Sequence, residues 1–198
     1  LSMASASPVL HAKRAGVSNG VLGMAFFIAS EAMFFAGLIS GFLVLRAEAG
    51  VWPPPDQPRL PLLVTAFNTL LLLASAGGMR RAMIGLTSHG GAGVDSALRV
   101  TATLGSAFLV LQGWEWLRLV RFGLTTVSSL YGATFYVLVG AHALHVLAAL
   151  VALWLVRARL RPVVVGVAPD ASRLRPMALY WYFVVAVWPV LYVLVYLL

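Results

Sequence analysis

The sequence predicts an all-α membrane protein, a bundle of five transmembrane helices. Hydrophobic residues make up 61% of the 198-residue chain and charged residues only 10%, whereas soluble domains carry about 25% charged residues. The apolar residues are also gathered into five runs, each long enough to cross a hydrocarbon core about 30 Å thick as a helix. This composition excludes a soluble enzyme and a disordered chain.

The five runs define the expected helices, because backbone groups inside a bilayer must form their hydrogen bonds within the segment itself. A β-barrel would need alternating apolar and polar residues, and these runs do not alternate. The expected spans are about 20–45, 60–80, 96–119, 129–156 and 176–198. Together they are expected to form one transmembrane domain over residues 1–198.

Local sequence features support the individual spans. Only Glu31 interrupts the first span, and a proline-stiffened loop at 51–58 separates it from the second. Asp95 and Ser96 can cap the third helix. The fourth lies in a long uncharged stretch, and Pro176 suits the first turn of the fifth.

The basic residues predict the orientation, because Lys and Arg concentrate on the cytoplasmic side of membrane proteins. If the N-terminus is cytoplasmic, ten of the fourteen basic residues lie on that side and four lie outside. The sequence therefore predicts a cytoplasmic N-terminus and an external C-terminus. The net charge of +8 is then expected to face anionic lipid headgroups, not nucleic acid. The expected headgroup ligands are Arg80, Arg81, Arg157, Arg159 and Arg161.

Glu31 is the charged residue expected deepest in the membrane. It lies about ten residues into the first span, or about 15 Å along the helix, near the centre of the hydrocarbon core. A carboxyl group there should be paired, neutral or close to water, because an isolated charge is costly. Two roles are open, a protonated hydrogen bond between helices and a proton-handling or regulatory site. His142 of the fourth span is expected at a comparable depth and is the predicted partner.

Further residues are candidates for contacts between helices. His142 and His145 are three residues apart and share a helix face. They could ligate a metal or heme, but interhelical hydrogen bonds are favoured because no Cys, Asp or Glu lies nearby in sequence. Glu115, near the outer end of the third span, is expected to form a solvated pair with Arg118, three residues further along the helix. Gly37 and Gly41 are expected to allow close packing of a neighbouring helix.

The chain contains no cysteine. Disulfides, thiolate zinc sites, iron–sulfur clusters and thiol chemistry are therefore excluded. With four His and six acidic residues, the chain also has little material for metal binding or acid–base chemistry. We expect no catalytic residue, no metal and no cofactor in this chain.

Six short segments form a pattern that extends over nearly the whole chain. They are Ser30-Glu31 before Phe34-Phe35, Trp52-Pro53-Pro54, Leu111-Gln112 with Glu115, Tyr131-Gly132 with Phe135-Tyr136, Gly140 with His142, His145 and Val146, and Tyr180-Trp181 with Phe183. In order and spacing they resemble subunit III of the heme–copper terminal oxidases, the cytochrome c oxidase subunit III family, in its five-helix bacterial form. Tyr182 and Val185 stand where this family usually has His and Asp, and Ala143 replaces a usual Gly.

The resemblance implies a function for the chain. Subunit III carries no heme or copper and packs against catalytic subunit I, which reduces dioxygen to water and pumps protons. In the family it supports proton uptake and sustained turnover and binds lipid. The resemblance therefore implies that Glu31 is the carbodiimide-reactive carboxyl of the first helix. It also implies heme and copper in partner subunits, bound phospholipid and a place in the bacterial plasma membrane.

Two other functions remain open from the sequence. An accessory subunit of a quinol oxidase or nitric oxide reductase would resemble the same family. An independent transporter or channel would need charged residues at mid-depth in several spans, and only the first span has one. In the favoured interpretation the enzymatic activity belongs to the complex, and this chain is a structural and modulatory subunit.

Overall fold

Five long helices form most of the protein. A computed structural model describes residues 18–55, 57–58, 60–88, 93–159 and 171–198. The helices are α1 (Asn19–Glu48), α2 (Leu62–Ser88), α3 (Val94–Arg121), α4 (Leu130–Arg159) and α5 (Ala171–Tyr192), and a π-helical turn, Val193–Leu197, follows α5. All five helices are long and apolar enough to span a membrane, and the described residues contain no strand. The predicted class, an all-α bundle with five membrane-spanning helices, is confirmed.

The helix ends differ most from the predicted spans at α2 and α5, and the start of α3 has a different cap from the one expected. α2 continues to Ser88, because a helix need not stop where its apolar run meets the charged residues near 80. α5 begins at Ala171, so Pro176 lies inside the helix and not in its first turn. The residue before α3 is Gly93, whose φ of 77° suits glycine, and no side chain caps this end. The caps expected from Asp95 and Ser96 are therefore wrong.

α2 and α3 form the closest pair of helices in the bundle. A glycine allows their backbones to approach, because a Cβ atom on Gly78 would lie 2.6 Å from Thr101 Oγ1 and 3.2 Å from the Thr101 backbone nitrogen. The opposing Thr101 is itself fully buried. α5 packs against α2 of this pair, and α4 packs against α3.

α5 lies against α2, α4 and α1 and supplies the largest buried side chains. Trp181 and Trp188 are both fully buried. Their indole N–H groups donate to Ser75 Oγ at 3.2 Å and to Thr69 Oγ1 at 2.8 Å, both on α2. These bonds satisfy the polar edge of each buried ring and fix α5 against α2.

α1 is the most exposed helix of the bundle. It packs on α5 and, to a smaller extent, on α4. A narrow stripe of side chains that recurs every three or four residues faces the neighbouring helices, and it includes Met24, Ile28, Phe35 and Phe42. Glu31 falls on this stripe, near the middle of α1, so its carboxyl group points between helices.

Candidate functional site

Glu31 and His145 meet between α1 and α4, near the middle of both helices. Glu31 Oε2 lies 2.6 Å from His145 Nε2, and the side chains are 18% and 19% exposed, respectively. The other ring nitrogen, Nδ1, lies 2.6 Å from the carbonyl oxygen of Ala141, one turn earlier in α4. Because a carbonyl oxygen can only accept, Nδ1 carries a hydrogen and donates it.

This geometry places one proton between Glu31 and His145. When Nδ1 carries the hydrogen, Nε2 of a neutral imidazole is an acceptor. The short contact with Glu31 then requires a proton, held by the carboxyl group in a neutral pair or by Nε2 in an ion pair. A neutral pair avoids the desolvation of two charges. Both forms keep one proton in the contact between the two side chains.

Aromatic rings surround the imidazole of this pair. The ring of Phe34 stacks against His145 with centroids 5.8 Å apart, and Phe35 meets it edge-on at 5.0 Å. Phe35 is buried and also packs against Phe183 of α5. These contacts hold the imidazole toward α1 and keep the pair in apolar surroundings.

His142 is not the partner of Glu31, and this prediction is wrong. Three residues along an α-helix correspond to a rotation of about 300°, so His142 and His145 point about 60° apart. His142 therefore turns away from Glu31 and is fully buried. Its ring stacks on Trp188 at 5.0 Å and meets the edge of Phe108 at 6.1 Å. Neither nitrogen has a hydrogen-bond partner among the described residues, so aromatic packing holds this side chain.

Glu115 is buried, which contradicts the expected solvated pair. The residue is 2% exposed, and its Oε2 accepts from Thr65 Oγ1 of α2 at 3.0 Å and from Gln112 Nε2 at 3.4 Å. Glu115 lies three residues after Gln112 and four residues before Leu119. It therefore shares the buried face of α3 with them. Arg118, the expected partner, lies on the exposed face.

A polar cluster that was not predicted from the sequence forms around Gln112. Asn68 of α2 donates to Gln112 Oε1 at 3.3 Å, and Gln112 Nε2 donates to Tyr196 Oη at 3.2 Å. The π-helical turn after α5 brings Tyr196 into this position. The available signal was that Asn68 and Gln112 are amide side chains inside otherwise apolar spans, where a polar group needs a partner.

Gly37 and Gly41 do not support a close helix contact within the described residues, contrary to prediction. A Cβ atom added to either glycine would meet no atom within 4 Å. Both lie beside the inward stripe of α1, not on it. They border a cleft of about 300 Å³ between α1 and α4, which Leu130 and Val137 also line.

The predicted headgroup arginines have different surroundings. Three of them are exposed, namely Arg80, Arg81 and Arg159. Arg157 instead forms a two-point contact with Asp95, with Nε 2.7 Å from Oδ1 and Nη2 3.4 Å from Oδ2. The guanidinium also lies 5.1 Å from the ring centroid of Trp154. Arg161 lies outside the described residues.

Metal ligands are not grouped in the described part of the chain. No cluster of three or more His, Cys, Asp or Glu side chains that could hold a metal ion occurs there. Glu31 and His145 supply only two such groups, fewer than a structural or catalytic zinc site needs.

Comparison with known proteins shows the family. A family model for cytochrome c oxidase subunit III matches residues 3–198. Cytochrome c oxidase subunit 3 of Synechocystis sp. is 34% identical over 178 residues, which cover 90% of this chain and 75% of the relative. The probable cytochrome c oxidase subunit 3 of Nocardia farcinica is also 34% identical, with 88% and 86% covered. The Bacillus subtilis subunit 3 is 31% identical over 182 residues, with 91% and 86% covered.

These matches confirm the resemblance inferred from the six segments. Subunit III is an accessory subunit of the terminal oxidase, an oxidoreductase complex, and the subunit is not itself catalytic. The family is cofactor-free. The five membrane-spanning helices and the oxidase relatives together indicate a multi-pass membrane protein. This chain belongs to the cytochrome c oxidase subunit III family.

Proposed function

We propose that Glu31 and His145 hold a proton inside the membrane and thereby support proton uptake and sustained turnover by catalytic subunit I. The observation that carries this proposal is the 2.6 Å contact between Glu31 Oε2 and His145 Nε2. Glu31 is also the carboxyl group that the family resemblance identifies as carbodiimide-reactive. A pair on an accessory subunit modulates the reaction and is not an obligatory step in it.

The test uses Glu31→Gln in the intact oxidase complex. Glutamine keeps the shape of the side chain and can hydrogen-bond to His145, but it cannot hold the shared proton. We expect normal assembly and an initial rate of oxygen reduction close to wild type, with a shorter catalytic lifetime or a lower proton-to-electron ratio. Glu48→Gln is the matched control, because Glu48 is an exposed carboxyl at the end of the same helix.

Two results would contradict the proposal. Complete loss of oxygen reduction in an assembled Glu31→Gln complex would mean that the residue is on an obligatory proton route. A lifetime and a pumping ratio equal to those of Glu48→Gln would mean that the pair has only a structural role. Carbodiimide inactivation, measured in parallel, should be lost in Glu31→Gln and retained in the control.

A second proposed role is the binding of anionic phospholipid near Arg80 and Arg81. Both side chains are exposed, and a basic residue at a membrane surface attracts anionic lipid by about 1 kcal/mol. Changing both to glutamine should lower the phospholipid retained by the purified complex. Unchanged lipid content would mean that these arginines serve topology or protein contacts only.

We further propose the arrangement of the chain in its complex. The bundle is a single transmembrane domain of the bacterial plasma membrane, with a cytoplasmic N-terminus and an external C-terminus. It assembles with catalytic subunit I and the other oxidase subunits, which hold the heme and copper. The excess of basic residues on the proposed cytoplasmic side supports this orientation.

A further inference from the structure

Two buried oxygen atoms at the α2–α3 interface have no hydrogen-bond partner in the described chain. They are Glu115 Oε1 and Asn68 Oδ1. Both residues are inside the bundle, at 2% and 0% exposure. A buried acceptor without a donor is costly, and such atoms in native proteins are usually satisfied by an ordered water molecule.

The orientation of the Asn68 amide follows from its neighbours. Its Nδ2 donates to the carbonyl oxygen of Phe108 at 3.2 Å and to Gln112 Oε1 at 3.3 Å. Exchanging the amide nitrogen and oxygen would place an acceptor against two acceptors, so the assigned orientation is the favourable one. Because Nδ2 is directed to Phe108, deeper along α3, Oδ1 lies on the side of the amide away from it.

The spacing of the contacts matches the reach of one water molecule. Thr65 of α2 contacts Glu115, and Asn68 contacts Gln112. Thr65 and Asn68 are three positions apart on α2, and Gln112 and Glu115 are three positions apart on α3. The two contacts are therefore separated by a rise of about 4.5 Å along the helices. A water molecule that donates both hydrogens, over about 2.8 Å each, joins two acceptors about 4.5 Å apart.

We propose that Glu115 Oε1 and Asn68 Oδ1 bind one internal water molecule between α2 and α3. The water donates to both oxygens when Glu115 is ionised, and it accepts from Glu115 and donates to Asn68 when the acid is neutral. It therefore serves the carboxyl group in either protonation state. Tyr196 of the π-helical turn, which accepts from Gln112, closes the cluster on the side of α5.

A metal ion does not suit this position as well as water does. Hard cations such as calcium take six or more oxygen ligands, and here only two oxygens lack a partner within the described cluster. The remaining side-chain oxygens of the cluster already make hydrogen bonds; they are those of Gln112, Thr65 and Tyr196 and the second carboxyl oxygen of Glu115. A small neutral molecule with two O–H groups matches the two free acceptors.

The test is a high-resolution electron cryo-microscopy map of the intact oxidase complex in lipid nanodiscs. We expect a solvent peak within hydrogen-bonding distance of both Glu115 Oε1 and Asn68 Oδ1. The same map of Asn68→Leu, which has similar volume but no acceptor, should lose the peak. Ser75→Ala removes another buried polar group from the same face of α2 and should keep it.

Two outcomes would overturn the proposal. One is a wild-type map that shows ordered water elsewhere at the same depth in the membrane but no peak between Glu115 Oε1 and Asn68 Oδ1. A direct hydrogen bond between these two side chains would give this result. The other is a peak that persists in Asn68→Leu, which would show that Asn68 does not bind it. If the Asn68→Leu complex does not assemble, the wild-type map still decides the first point.

Discussion

Gly105 of α3 allows a quantitative test of how the bundle is packed. A Cβ atom at this position would lie 2.5 Å from Trp181 Cη2, 3.0 Å from Trp181 Cζ2 and 3.1 Å from Leu150 Cδ2. Favourable carbon–carbon contacts are about 3.5–4.0 Å. The indole ring has little freedom to move away, because it is fully buried and its N–H donates to Ser75.

We therefore expect Gly105→Ala to destabilise the bundle, since overpacking a core costs about 1–3 kcal/mol. The higher helix propensity of alanine offsets up to about 1 kcal/mol of this loss. Gly113→Ala is the matched control about two turns further along the same helix. A Cβ there would meet no atom within 4 Å, so only the gain in propensity remains.

The assay is the temperature at which subunit III dissociates from the purified oxidase, followed by native gel electrophoresis. Gly105→Ala should lower the midpoint temperature relative to wild type, and Gly113→Ala should leave it unchanged or raise it. Equal midpoints for the two variants would refute the reasoning, because the packing difference between the two positions would then have no energetic effect.

Three further predictions concern the polar residues and the topology. His145→Phe leaves the Glu31 carboxyl without its partner, which should cost about 1–3 kcal/mol and lower the dissociation midpoint; an unchanged midpoint would contradict this. Asp95→Asn weakens an ion pair whose carboxylate is half exposed, so the loss should be below about 1 kcal/mol, and a larger fall in the midpoint would reveal a stronger network. Because the chain contains no cysteine, a membrane-impermeant thiol reagent should label Gln57→Cys from outside and Arg159→Cys only from the cytoplasm; the reverse pattern would overturn the proposed orientation.

The sequence predicted the helices well because the bilayer places the same demand on every residue of a span. A membrane helix must be predominantly apolar along its length, so each helix lies over the apolar run that predicts it. The helix ends were predicted less accurately, because the chain can stay helical beyond the apolar core of the membrane with residues of any polarity. For this reason Pro176 became an interior residue of α5.

The contacts of the site depend on rotation about each helix axis, which a list of spans does not contain. His142 and His145 are equally plausible partners for Glu31 by depth, and only the packing of α1 against α4 selects His145. Glu115 was misplaced for the same reason, since its distance from the end of α3 suggested exposure. The face that it shares with Gln112 determines its burial.

The position of α1 at the edge of the bundle has a consequence for the proton between Glu31 and His145. Of the five helices, α1 is the one that can tilt or shift with the least repacking of the core, and any such movement changes the 2.6 Å distance between Oε2 and Nε2. A hydrogen bond forms only within a narrow range of distance and angle. Under the proposed function, proton occupancy and the placement of α1 are therefore thermodynamically linked, and the linkage is reciprocal. A neighbour that presses on α1 alters how firmly the proton is held, and a change at the proton alters how firmly α1 is held against α4.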